Sequence, residues 1–249
     1  MRTIDDTTLL NIDEAFESPL DHLPDADEAP LPSADDMLAL LHSESSDQRI
    51  VAARAFCELQ DDRAIAPLIQ LLEDACPLVR VSAAYALGRN TSDEAIAALV
   101  ARYDQEWNGY ARKGIVWALG TCQTPETVDP LLKALKTDIA AVRLWAASSL
   151  GQVGEMAYEH SVKAVAPLII ALRQDPVPAV RGNCAWSLGQ LCRDLPANAI
   201  YAGAVDALIE ALVEDEELGI KDDARSALLK LGDPRALQII EELEQEGWL

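Results

Sequence analysis

The decapeptide VRVSAAYALG, Val79 to Gly88, returns along most of this chain. Its copies are YARKGIVWALG (Tyr110 to Gly120), VRLWAASSLG (Val142 to Gly151) and VRGNCAWSLG (Val180 to Gly189). In each, a glycine follows an arginine by eight residues: Arg80 and Gly88, Arg112 and Gly120, Arg143 and Gly151, Arg181 and Gly189. Weaker copies stand at Arg49, with Cys57 in the glycine place, and at Lys221, with Leu229. The six anchors at 49, 80, 112, 143, 181 and 221 are separated by 31, 32, 31, 38 and 40 residues. A period of this size is the signature of a solenoid, in which each repeat buries its apolar face only against its neighbours.

Upstream of every anchor, apolar residues fall at i, i+3, i+4 and i+7, the spacing of one buried helical stripe. The sets begin Ala34, Met37, Leu38, Leu41 and continue through Ile65, Ile96, Val128, Val165 and Val205. Ala236, Ile239, Ile240 and Leu243 repeat the stripe with no second helix after it, and the acidic run Glu241 to Glu246 supplies the polar side that a terminal cap needs. The chain is therefore read as an all-α, right-handed α-solenoid of about six short helix pairs closed by a C-terminal capping helix, over residues 34–249. Pro67, Pro130 and Pro167 each fall two residues into a stripe, marking a helix start or a kink. Residues 1–33, with nine acids against Arg2 alone and four prolines, read as an acidic, largely flexible arm.

A formal charge of −22 speaks against nucleic acid and against an anionic membrane surface, and favours a partner with a basic patch. No apolar run reaches the roughly 18–20 residues of a membrane span, and the acidic beginning is unlike a signal or transit peptide. Five cysteines without a CxxC pair read as reduced thiols. A cytoplasmic location, or a stromal one for a matured chain, is expected.

Counted from the anchor arginine, positions −1, +3, +4 and +7 are small or aliphatic and form the buried seam. Positions +2, +5 and +9 share another face, the one expected to line a concave surface. Arg54, Tyr85, Arg89, Trp117, Trp145, Asn183, Trp186 and Gln190 fall there. Aromatics among Arg, Asn and Gln are the usual make-up of a recognition surface. They either form a strip for a partner segment or planar ligand, or pack against one another if curvature closes the groove. Asp74, Asp138, Asp175 and Asp215 sit five or six residues before their anchors, where they cap turns and can meet an arginine of their own or an adjacent repeat.

Cys122 and Cys192 follow their anchors by 10 and 11 residues, in expected loops on one edge, and are the candidate metal ligands. Two layers apart, at about 8–10 Å per layer, they stand roughly 16–20 Å from each other, so a cluster would have to be shared with a partner. Phosphate-cradling, HExxH and GxSxG motifs are missing from the sequence, and no catalytic residue is assigned. The spacers Val153–Ser161 and Cys192–Tyr201 are read as contact loops.

The paired units with VRxxAAxALG in the second helix resemble HEAT repeats, in the short form of the phycobilisome-lyase-type HEAT proteins, over about Ala34 to Leu243. That family spans bilin lyase subunits, proteins assisting phycobilisome breakdown, and adaptors. One cyanobacterial member interacts with the IscA-type iron–sulfur scaffold, and the length, acidic arm and scattered cysteines are most similar to it. The resemblance implies a non-enzymatic adaptor for a basic or apolar segment of an IscA-type scaffold or a phycobiliprotein, with an iron–sulfur cluster shared with the partner or a bound bilin as cofactor. The alternative it implies is a phycobilin lyase or chromophore-handling chaperone subunit. The repeats also resemble deoxyhypusine hydroxylase, but the His-Glu dipeptides that hold its iron are missing here. The histidines are His22, His42 and His160.

Overall fold

The structure, a computed structural model, describes residues 32–154 and 158–248, apart from the side chains of 153 and 154. Residues 1–31 of the acidic arm read over 1–33, and part of the first long spacer, lie outside the described residues. The helices form six pairs: α1 (Ala34–Leu40) with α2 (Ser46–Ala55), α3 (Ile65–Leu71) with α4 (Pro77–Arg89), α5 (Asp93–Gln105) with α6 (Gly109–Cys122), α7 (Val128–Thr137) with α8 (Ala140–Gly154), α9 (Tyr158–Gln174) with α10 (Pro178–Cys192), and α11 (Ala199–Glu214) with α12 (Leu218–Leu231). A single helix, α13 (Pro234–Gln245), follows. No strand occurs among the described residues. This is the α-solenoid with a terminal cap that the repeat period predicts.

Local chemistry sets the helix starts. Ser33, Ser92, Asn108, Asn198 and Asp233 accept first-turn N–H groups with their side-chain oxygens, which satisfies donors that have no partner inside the helix. Pro77 and Pro178 occupy the first position of α4 and α10, where a missing N–H costs nothing.

The second helices stack in sequence, α2 on α4, α4 on α6, and onward through α8 and α10 to α12. The first helices form the other layer, with α7 on α9, α9 on α11 and α11 on α13. Between the layers lies the seam read from the register. Val79, Ala83, Ala84 and Leu87, and their equivalents in the next three repeats, are at most 1% exposed. Burying each large aliphatic side chain contributes about 1.5–3 kcal/mol.

The recurring glycine is a close-approach residue, not a helix end. Gly88 lies inside α4, and a Cβ there would sit 2.9 Å from the Ala118 Cα of α6. At Gly189 it would sit 2.8 Å from the Ala227 Cβ of α12. Hydroxyls fasten the stacking of second helices: Thr121 donates to the Gly88 carbonyl of α4 at 3.1 Å, and Ser187 to the Ala147 carbonyl of α8 at 2.8 Å.

Each anchor arginine reaches forward to the turn acid of the next repeat. Arg49 pairs with Asp74, Arg80 with Glu106, Arg112 with Asp138, Arg143 with Asp175 and Arg181 with Asp215, at 2.6–2.8 Å. The remaining guanidinium nitrogen donates to carbonyls of the arginine's own turn. The acid also caps its turn, as where Asp175 accepts the Val177 N–H at 3.0 Å. Repeats are thus riveted through a structural ladder.

Two expectations are corrected. The long spacers enter helices to a large extent: Tyr158–Ser161 opens the 17-residue α9, and Ala199–Tyr201 opens the 16-residue α11. Cys122 and Cys192, expected in loops, are the last residues of α6 and α10. In both cases the helical apolar pattern runs on past the template length, so the chain stays wound.

Candidate partner-binding face

The exposed side of the second helices carries the candidate residues. Tyr85 of α4 and Trp117 of α6 meet with ring centroids 4.7 Å apart and planes tilted by 50°. Arg89, one turn beyond Tyr85, lays its guanidinium over Trp117 at 5.6 Å, and Lys113 lays its ammonium over Trp145 of α8 at 5.3 Å. Each of these indoles therefore faces a cation from the preceding repeat, an arrangement that binds the cation to the electron-rich ring face. Trp186 of α10 continues the row, its ring edge lying where a Cβ on Gly151 would approach within 3.0 Å. All four rings are half-buried. They pack along one side and offer the other.

The polar residues of the face divide. Asn183 donates an amide hydrogen to the Leu144 carbonyl of α8 at 3.1 Å, so part of its bonding capacity goes to stacking. Gln190 is half-buried and Arg89 is exposed. The Nε of Arg54 is buried with no hydrogen-bond partner among the described residues. Register alone does not fix exposure. At +2, Ser82 and Gly114 are buried, Ser82 donating back to the Leu78 carbonyl at 2.9 Å and Gly114 lying under Tyr85.

The charge of the face changes along the stack. Arg54, Arg89 and Lys113 lie toward its N-terminal end, whereas Asp222 and Asp223 of α12 are exposed at the other. Partial desolvation of the carboxylate, which lies against Gly182, then the neighbouring Asp222, pushes Asp223 above its ordinary value.

Cys192 is fully buried and Cys122 half-buried, and burial pushes them up to about 12 and about 11. No group of three or more His, Cys, Asp and Glu side chains converges among the described residues. No helix among them is long and apolar enough to cross a membrane.

Sequence reasoning missed two features. Glu106 serves as the turn acid of the third repeat, and the dipeptide Glu106-Trp107 before the Asn108 cap was the signal. A cleft between α7 and α9 was also missed; the isoleucine at 170, where the other stripes carry mostly polar residues, could have pointed to it.

A family model described as HEAT repeats matches residues 34–120, 104–189 and 165–247. Among solved structures, the Escherichia coli YibA protein is similar at 19% identity and a TM-score of 0.62, covering 85% of this chain and 75% of that one. A designed armadillo repeat protein in complex with the peptide (KR)4 is similar at 20% identity and a TM-score of 0.60, covering 80% and 100%. The complex of CpcE and CpcF of phycocyanin lyase from Nostoc sp. PCC7120 is similar at 18% identity and a TM-score of 0.54, covering 90% and 98%. At such identities the likeness is one of fold.

Proposed function

We propose, from the premise that this chain belongs to the HEAT-repeat family, that it is a non-enzymatic adaptor whose second-helix face holds an extended segment of a partner protein. The observation that carries this reading is the cation-interleaved aromatic row from Tyr85 and Trp117 through Trp145 to Trp186. Large rigid rings give contact area at low entropic cost and dominate recognition surfaces. The designed armadillo protein holding a (KR)4 peptide supports a peptide as the class of ligand. In the present chain the apolar middle of the segment lies on the rings. Its basic residues meet Asp222 and Asp223, and any acidic ones meet Arg54 and Arg89. An IscA-type scaffold or a phycobiliprotein is the candidate partner. A scaffold of the first kind would bring the cluster ligands itself, because Cys192 is buried and Cys122 stands two layers away.

A second reading is a bilin-handling lyase or chaperone subunit. The likeness to the CpcE–CpcF complex over 90% of the chain supports it. The same rings would stack a planar tetrapyrrole, with Arg54 and Arg89 near its carboxylates.

Both readings are tested on the full chain purified anaerobically from a photosynthetic host, by visible spectroscopy and by mass spectrometry of what copurifies. For the identified partner, Trp117→Ala and Trp186→Ala are each expected to weaken binding at least tenfold, the scale of an aromatic hot spot. Unchanged affinity in both folded variants sinks the adaptor reading. Bilin absorbance lost in the same variants supports the second.

A further inference from the structure

Pro67 and Pro130 lie in the first turns of α3 and α7, but the longer α9 carries Pro167 in its interior. A proline there removes one backbone hydrogen bond and crowds the preceding turn. From this point to its C-terminus, α9 faces α7 across an open cleft of about 620 Å³, within the usual 300–1,000 Å³ of ligand pockets (about). Leu132, Leu135 and Lys136 of α7 face Pro167, Ile170 and Ala171 of α9. Ile170 is 56% exposed, and at its place in the stripe the other repeats carry Ala39, Gln70, Ala101, Lys133 and Glu210. Folding does not require an isoleucine there.

The floor of the cleft is one rung of the ladder, Arg143 with Asp175, beside Asp138. These carboxylates are already engaged by Arg143 and Arg112. On the rim, Lys136 is exposed and has no ion-pair partner among the described residues. The helices α7 and α9 carry Lys133, Lys136, Lys163 and Arg173 against Asp129 and Glu159, an excess of positive charge in a chain of net charge −22. Lys133, Lys163 and Arg173 are paired with Asp104, Asp129 and Glu210, which leaves Lys136 for a ligand. Ile139, in the turn after α7, is 49% exposed and lies over Gly109, and Tyr110 and Trp107 are 75% and 73% exposed in the preceding repeat. The apolar surface thus runs along the turn edge past the cleft, longer than a small molecule would use.

We propose that the α7–α9 cleft is a second docking site, separate from the second-helix face, for an acidic segment of a partner protein that inserts one large apolar side chain beside Ile170 and sets a carboxylate on Lys136. The apolar walls supply the anchor pocket and Lys136 the sign of charge; a basic segment would meet an uncompensated ammonium at the rim.

The test is selection of phage-displayed random 12-residue peptides on the immobilised full chain. Enriched peptides are expected to carry Leu, Ile, Phe or Trp within about four residues of Asp or Glu, the one-turn reach of a helix. Ile170→Glu should weaken their binding at least tenfold while leaving the melting temperature nearly unchanged. Lys136→Glu should weaken them at least threefold and select basic peptides instead, a swap that loss of folding cannot produce. Absence of enrichment over bare support overturns the proposal. So do enriched peptides unaffected by both substitutions, including any that are lost only with Trp117→Ala.

Discussion

Arg80 and Glu106 form a two-bond ion pair almost wholly out of solvent: Nε and Nη2 donate to the carboxylate at 2.7 and 2.8 Å, and the side chains are 4% and 0% exposed. Arg102 adds two bonds, from Nε at 3.2 Å and Nη2 at 2.9 Å, and the Asn108 N–H another at 2.8 Å. Five donors on one carboxylate satisfy it fully. Removing the carboxylate strands a buried guanidinium, so Glu106→Ala should cost about 3–5 kcal/mol. Asp215→Ala, whose partner Arg181 keeps 15% of its side chain in solvent, should cost about 1–3 kcal/mol, the worth of a charged hydrogen bond. Urea unfolding of both variants checks the ranking, and equal losses would mean that burial of the rung does not set its weight.

The ladder also makes a signed prediction about acid. Burial alone would raise Glu106, Asp138 and Asp175, but bonds from their arginines and from backbone N–H groups hold all three below the ordinary carboxylate range. For Asp215 the Arg181 bond is the largest influence, and it too is lowered. A lowered folded value means stability that is present above the unfolded value, near 4, and is lost as pH falls through the folded one. Relief of self-repulsion near the sequence pI of about 4.3 works in the opposite direction, so a variant must isolate the ladder. The melting-temperature gap between the wild type and Asp175→Asn should be constant from about pH 8 to pH 5 and close below about pH 4. A gap that does not shrink as the pH falls below about 4 would refute the assignment.

The fold was legible because it is written repeatedly: the arginine register locates every second helix, and the i, i+3, i+4, i+7 stripes locate every first one. The forward direction of the ion pairs was not, since in sequence Asp74 stands 6 residues from Arg80 and 25 from Arg49, and only stacking brings it to Arg49. The glycine was legible as a position but not as a contact. Its cause is the Ala118 backbone of another repeat, which no local propensity encodes. The binding face was legible as a register but not as a surface, because Gly114 and Ser82 occupy it and are covered. Ile170 shows the converse limit: an isoleucine where the other stripes carry mostly polar residues is visible in the sequence, but the cleft beside it is not.

Four of the five thiols should be unreactive in the native protein. Cys57 is pushed up to about 11, by burial first and then by Glu58, against a lowering influence of Arg89 and Arg54. Burial raises Cys122 to about 11 and Cys192 to about 12, and raises Cys184 further, with Asp175 adding to it. Alkylation requires the thiolate, which is scarce at pH 7.5 at all four positions. Peptide-resolved mass spectrometry after iodoacetamide should find them labelled at least tenfold more slowly in native protein than in urea. Rapid native labelling at Cys122 or Cys192 would show that their helix ends open, and would revive them as ligands for a shared cluster.

Glycine substitutions separate close approach from helix propensity. Alanine is the better helix former by about 1 kcal/mol, so at a glycine with room it should stabilise. Gly219, in the first turn of α12, has nothing within 4 Å of a built Cβ, and Gly219→Ala should gain about 0.4–1 kcal/mol. Gly88 is equally helical, yet its Cβ would meet the Ala118 backbone at 2.9 Å and the Thr121 hydroxyl at 2.8 Å. A backbone atom cannot rotate away, so α4 and α6 must separate, and the Thr121 bond to the Gly88 carbonyl lengthens with them. Gly88→Ala should therefore lose about 1–3 kcal/mol, the cost of overpacking. Because each repeat contacts only its neighbours, hydrogen exchange should quicken first in α4 and α6 and leave α12 unchanged. A stabilised Gly88→Ala, or exchange that rises uniformly along the stack, would show that the glycine register serves something other than the approach of successive second helices.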